Sequence, residues 1–200
     1  GPKFWIKAFT TDKLILFADN GRFYYVNPDK LPSGRGFGDP VRSFIDLPSE
    51  SHLISMFTYN KGRSILICSS DGRGFVTAED DILAQTKSGK QVMNLKKDVK
   101  SIVCTPVEGD LVAIVGTNRK MIILPLSELP IMNKGRGVTL QKYRDGGLSD
   151  AICFSKSEGL YWHSGNKVRT EESFKQWLGK RAQAGRLAPK GFPKNNKFTL

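Results

Sequence analysis

Four short segments of this chain set glycine beside arginine or lysine: SGRG at 33–36, KSGK at 87–90, KGRG at 134–137 and AGR at 184–186. Glycine lets backbone N–H groups come close to an anion, and a flanking guanidinium or ammonium adds charge-assisted hydrogen bonds. That pairing suits a phosphate held without any reading of a base. None of the four is a nucleotide P-loop, since none shows G-x-x-x-x-G-K-[ST] after a strand. One such segment is an ordinary turn, but four at matching phase put the same cationic chemistry on one surface. The candidate phosphate contacts are Lys30, Arg35 and Arg42 around the first segment and Arg73, Lys87 and Lys90 in the second unit. Lys134, Arg136, Lys142 and Arg144 follow in the third, and Lys180, Arg181, Arg186 and Lys190 in the fourth.

Catalytic chemistry is harder to assemble. An active site needs converging acid, base, nucleophile or metal ligands. His52 and His163 are the two histidines, they fall in different units, and neither has a Cys or His at ligand spacing. The acidic run Glu79-Asp80-Asp81 lacks the alternating Asp/Asn and distal Glu of a calcium loop. It reads better as the solvated cap of a helical turn. An all-β hydrolase therefore has no site, and neither a metal nor a cofactor is expected.

The charge balance agrees with an anionic partner. The formal net charge is +12, and it is unevenly spread: +1 over residues 1–60, +3 over 61–107, +1 over 108–154 and +7 over 155–200. An excess of this size points to a polyanion, most often nucleic acid, with plain solubility as the alternative. No apolar run approaches the ~20 residues of a membrane span, so a soluble chain is expected. Cys68, Cys104 and Cys153 each lie in or beside an apolar stretch. Buried free thiols in a reducing cytoplasm account for them better than a disulfide framework. Gly1-Pro2 reads as the scar of a protease-cleaved tag.

The elements that must carry these loops repeat as well. Apolar runs KLILFA (13–18), SILICS (64–69), LVAIVG (111–116) and GLYWHS (159–164) each lead into a turn and a second strand. From Gly21 to Gly72 is 51 positions, from Gly72 to Asn118 is 46, and from Asn118 to Asn166 is 48. A period in this range marks a propeller or related array, whose units bury their apolar faces only against neighbours. The first three runs are short, β-branched and unalternating, which fits strands covered on both faces. Asn20-Gly21 and Asp71-Gly72 supply the positive-φ residues of hairpin turns, with Thr117-Asn118 and Gly165-Asn166 as weaker versions. Thr170, followed by Glu171 and Glu172, is placed to cap a helical turn running through Phe174, Trp177 and Leu178. The expected organisation is one all-β domain over residues 3–192, in units of about 3–60, 61–107, 108–154 and 155–192. Residues 193–200 lack apolar periodicity and are expected to form a flexible tail.

The residues also resemble a known family, nearly end to end. NGRFYYV (20–26), KLPSGRGFGDPVR (30–42), SSDGRGF (69–75) and TKSGKQVMNL (86–95) carry the resemblance, together with NRK (118–120) and PLSELP (125–130). KGRGVTLQKYRDGGLSDA (134–151) and AQAGRLAPKGFP (182–193) complete it, the former being the most distinctive stretch. These are similar to the C-terminal domains of bacterial type IIA topoisomerase A subunits, above all that of topoisomerase IV (ParC), a relative of the gyrase A domain. The resemblance implies a β-pinwheel, propeller-like blades that exchange strands with their neighbours, with DNA bound and bent around the outer edge. It implies a monomeric, non-catalytic domain that helps select supercoiled or catenated DNA. Its partners would be double-stranded DNA, the remainder of the A subunit, which links it to the ATPase B subunit (ParE), on the cytoplasmic nucleoid. No segment matches the gyrase box Q-R-R-G-G-R-G in full, and residues 134–137 come nearest, which favours topoisomerase IV over gyrase. Four units are countable where the family often has five or six, so the ring is either short and open or lacks a blade upstream. A propeller-like scaffold for protein partners is the competing class.

Overall fold

The computed structural model describes residues 13–30 and 39–199, with side chains not described at Lys30, Asp39 and Pro40. Its elements are β-strands, four single 3-10 turns and one short helix, α1 (Asp39–Arg42). Each of the four apolar runs is a strand: β1 (Leu14–Ala18), β4 (Ser64–Ser69), β8 (Leu111–Gly116) and β12 (Leu160–Ser164). The first three are buried almost without interruption, as unalternating Ile/Leu/Val runs require. Each pairs antiparallel with the strand that follows its turn: β2 (Arg22–Val26), β5 (Arg73–Ala78), β9 (Lys120–Pro125) and β13 (Lys167–Glu171).

The first three hairpin loops lie between the pairs Phe17↔Phe23, Cys68↔Gly74 and Val115↔Met121. Gly21 (φ +82°) and Gly72 (φ +86°) fill the left-handed position. In the third unit Arg119 (φ +70°), rather than the expected Asn118, takes it. Its guanidinium explains the exception, because it is held from the far side. It donates to the carbonyls of Phe192 and Pro193 and to Asn196 Oδ1, and lies over the Phe192 ring. The fourth loop, Gly165-Asn166, closes in two residues between Ser164 and Lys167.

Strand exchange builds the rest. β3 (Leu53–Thr58), β7 (Ser101–Pro106) and β11 (Leu148–Phe154) pair with β1, β4 and β8 on one side. On the other side the partner comes from one unit further along the chain. β6 (Lys90–Gln91) joins β2, β10 (Val138–Thr139) joins β5, and β14 (Arg186–Leu187) joins β9. Three blades result, in strand order β3-β1-β2-β6, β7-β4-β5-β10 and β11-β8-β9-β14, and the fourth is the pair β12-β13.

Alternate residues of one strand serve two neighbours. Ile65 and Ile67 of β4 pack with Ile15, Phe17 and Phe23 of the first blade. Leu66 and Cys68, between them in sequence, pack with Val112, Ile114 and Ile122 of the third. A third cluster joins Ala113, Val115 and Met121 to Leu160, Trp162, Phe174 and Trp177 of the fourth. The remaining face of the first blade is covered by Val41 and Ile45 of its own unit. Each fully buried aliphatic or aromatic side chain contributes about 1.5–3 kcal/mol, so the blades hold together through shared faces that none could bury alone. β3, β7 and β11 line the axis, and β7 packs against the other two. A cavity of about 360 Å3 opens there, lined by Ile54, Cys104, Cys153 and Tyr161 among others.

In the last unit the expected helical turn is present, but its Thr170 cap and the flexible tail are not. Thr170 and Glu171 extend β13, and the helical turn is a single 3-10 turn at Lys175–Trp177 behind Phe174, with no side-chain cap. Pairing with β12 uses the residues that propensity assigned to a helix. The segment after Phe192 is not a free tail up to Thr199. Phe198 is fully buried in an edge-to-face contact with Phe192, and its carbonyl accepts the His163 N–H at 2.7 Å. Its N–H donates to Asp150, and the Lys197 ammonium donates to the Ser149 carbonyl. The segment thus lies on the β12 edge that β3, β7 and β11 occupy in the other blades. One buried aromatic outweighs the polar residues around it.

Candidate nucleic-acid interface

The basic loops sit where the chain enters its exchanged strands. KSGK runs into β6, KGRG into β10 and AGR into β14. In each, a glycine with positive φ comes directly before the strand: Gly89 (+81°), Gly137 (+72°) and Gly185 (+83°), spaced 48 apart. These glycines press on the neighbouring strand. A Cβ would stand 2.8 Å from the Phe23 carbonyl oxygen at Gly89, 2.2 Å from that of Gly74 at Gly137, and 2.3 Å from that of Met121 at Gly185. Their spacing from a flanking cation therefore follows from strand exchange, and it delivers that cation to the outer edge of a blade.

Backbone hydrogen bonds tie each loop to the unit before it. Asp46 N–H donates to the Lys87 carbonyl at 2.8 Å, Asn94 to Gly135 at 2.9 Å and Lys142 to Gln183 at 3.2 Å. Both partners advance by 48 residues at each step. The loops are therefore one belt, running from blade to blade along the exchanged strands. Side chains of Lys87, Lys90, Lys134, Lys142, Arg144, Lys180, Arg181, Arg186 and Lys190 are exposed along it. Arg136 is half-exposed, with Asp71 at 4.0 Å. The Lys90 ammonium also donates to the Asp81 carbonyl.

Other candidates fare differently. Arg73 is not a surface contact. Its guanidinium turns back along the blade, donating to the Gly137 carbonyl at 2.6 Å and to Thr139 Oγ1 at 3.2 Å. It positions the KGRG loop instead of reaching outward, and Arg22 holds the KSGK loop in the same way through the Ser88 carbonyl. Arg42, at the end of α1, is exposed but donates to the Ser51 carbonyl at 2.9 Å. Arg35 and the side chain of Lys30 lie outside the described residues. Glu79 is not solvated as expected: it is fully buried, paired with Arg63 at 2.7 Å and accepting the Asn60 N–H. Its neighbours Asp80 and Asp81 are exposed.

Sequence reasoning missed Lys96 and Lys97, both exposed just beyond β6. The repeat could have found them, since Lys96 stands 48 positions before Arg144. Among the described residues no three His, Cys, Asp or Glu side chains group to hold a metal, and no helix is long and apolar enough to cross a membrane. The belt offers a row of exposed cations, which is chemistry for holding an extended polyanion.

Comparison with known proteins places this geometry. The family model described as DNA gyrase C-terminal domain, beta-propeller, matches residues 12–60, 63–101 and 110–148. The A subunit of DNA topoisomerase 4 from Rickettsia bellii is 41% identical over 197 residues, and that from Caulobacter vibrioides 43% over 196. Each alignment covers 98% of this chain but only 27% and 26% of the relative, so the chain spans about a quarter of their length. The solved E. coli ParC C-terminal domain superposes with a TM-score of 0.79 at 24% identity, covering 94% of this chain and 81% of that one. A crystal structure of the C-terminal domain of DNA topoisomerase IV gives 0.74 at 21%, covering 92% and 61%. At these identities the structural likeness speaks to the fold, and the pinwheel of exchanged strands agrees with it. On the family match, which takes in well over half of its residues, the chain belongs to the DNA gyrase C-terminal domain, beta-propeller family.

Proposed function

We propose that this chain is the DNA-binding and DNA-bending domain of a type IIA topoisomerase, within an A subunit of the topoisomerase IV kind. The observation that carries this reading is the belt: three Gly-basic loops on exchanged strands, bonded to the preceding unit at 48-residue intervals along the outer edge. Such contacts hold phosphates and position a duplex without choosing its sequence. A duplex following the belt from blade to blade must curve with the arc. Bending 20–30 base pairs by 40–90° costs on the order of 1–6 kcal/mol, which several phosphate contacts offset.

The domain performs no chemistry and needs no cofactor on this reading. ATP hydrolysis belongs to a B subunit of the ParE kind, and strand cleavage to other parts of the A subunit. The bent segment it captures biases the whole enzyme, on the cytoplasmic nucleoid, toward supercoiled or catenated substrates. The relatives' identity as DNA topoisomerase 4 A subunits supports that assignment. The test is a duplex of about 30 base pairs with a fluorophore at each end. Binding should bring the ends together, and unrelated duplexes of equal length should compete within a few-fold. Binding without any change in end-to-end transfer would remove the bending role, and a hundredfold sequence preference would remove the phosphate mechanism.

A further inference from the structure

The three joints of the belt share one backbone hydrogen bond but are charged differently. Resting on the DNA-binding reading above, we propose that the duplex is gripped at the second and third joints and released at the first, so that the bound path is one-sided. Each joint bonds one unit to the Gly-containing loop of the next, at Asp46–Lys87 after α1, Asn94–Gly135 after β6 and Lys142–Gln183 after β10. The residue that donates the bond thus changes from acidic to neutral to basic, and all three are exposed.

The surroundings follow the same order. At the first joint, segments 46–50 and 84–90 hold Asp46 and Glu50 against Lys87 and Lys90, which cancel. At the second, 94–98 and 132–138 hold Lys96, Lys97, Lys134 and Arg136 against Asp98, net +3. At the third, 142–146 and 180–186 hold Lys142, Arg144, Lys180, Arg181 and Arg186 against Asp145, net +4. Among the described residues none of the basic side chains at the third joint has an ion-pair partner, while Arg136 at the second faces Asp71. Free cations on a fixed backbone exchange counterions for phosphate at little cost, whereas a carboxylate in the same place repels the duplex. The inter-unit hydrogen bond recurs at every joint, and side-chain charge decides where the belt binds.

The experiment measures duplex affinity at several salt concentrations, with a thermal melt of each variant as the folding control. Substituting Lys142→Gln with Arg144→Gln should flatten the slope of log K against log[salt] by up to ~1.8, at about 0.9 per phosphate neutralised. Lys87→Gln with Lys90→Gln should flatten it by less than half as much. Asp46→Lys should do the opposite, tightening binding and steepening the slope by about 0.9 or more as the first joint gains a contact. Equal losses from the two double variants would overturn the one-sided path while leaving DNA binding itself intact. Asp46→Lys without effect would overturn it too. A wild-type domain that binds no duplex at low salt would sink the underlying reading along with it.

Discussion

Replacing Gly137 with alanine should detach the exchanged strand β10. Its φ of +72° costs an L-residue roughly 1–2 kcal/mol. The added Cβ would stand 2.2 Å from the Gly74 carbonyl oxygen, a backbone atom inside a blade that cannot give way. Relief requires the loop to lift, and lifting breaks the Val138↔Gly74 pairing and the Arg73 bond to the Gly137 carbonyl. At about 1 kcal/mol for each net hydrogen bond, the total comes to about 3–5 kcal/mol. Gly165→Ala isolates the backbone part, because Gly165 has φ +62° and no heavy atom within 4 Å of an added Cβ. It should cost only the ~1–2 kcal/mol of the left-handed conformation. Each kcal/mol shifts the melting temperature of a domain this size by roughly 2–4 °C, so Gly137→Ala should melt about 10 °C low and Gly165→Ala only a few degrees low. Amide exchange at Val138 and Leu140 should accelerate in the first variant alone. Melting points within ~2 °C of each other would show that the glycine does not lock the exchanged strand.

Further outcomes are expected. Changing Lys180, Arg181, Arg186 and Lys190 together to Gln should flatten the salt dependence of duplex binding by up to ~3.6, with the melt unchanged because all four are exposed. Phe198→Ala should cost about 3–5 kcal/mol in a urea titration, the range for a buried aromatic, whereas a flexible tail would lose nothing. Burial pushes the Cys68 thiol well above an ordinary thiol, so a disulfide reagent at about pH 8 should reach this fully buried cysteine only as the protein unfolds, whereas half-buried Cys104 on the cavity wall should react first. Burial also raises the Asp150 carboxyl above its usual 3.8, though the Phe198 N–H opposes the shift. A carboxyl raised in the folded state binds more protons there, so this group lowers stability as pH rises from about 3.8 through the raised value. Asp150→Asn should remove that decline, its advantage in melting temperature over wild type growing toward neutral pH, and an advantage largest below about pH 4 would contradict the sign.

Much of the fold was legible because covered strands write themselves as unalternating apolar runs. SILICS and LVAIVG could only be strands with a neighbour on each face, and β4 and β8 have one. Exchange was implied by the family resemblance, but the residues themselves do not show it. β6, β10 and β14 are two residues long, too short for any periodicity, and were visible only as the loops that precede them. The same limit misplaced Arg73, whose sequence looks like a surface Gly-Arg turn and whose guanidinium is spent on the Gly137 carbonyl of the next unit. Lys96 and Lys97 were passed over because no glycine stands beside them, although the 48-residue register marks their place. The C-terminal segment shows the converse. KNNKFTL reads as tail by composition, yet Phe198 packs into the same buried cluster as Trp162, Phe174 and Phe192.

The central claim is that a belt of cations on exchanged strands holds DNA through its phosphates. Equilibrium titration of two unrelated duplexes of equal length, from low to physiological salt, tests it most directly. The account predicts log K falling linearly with log[salt] for both, with a common slope of about −0.9 for each phosphate held and therefore several units in all. Weak binding indifferent to salt, or no binding at low salt, would contradict it and return the basic surface to solubility or to a protein partner.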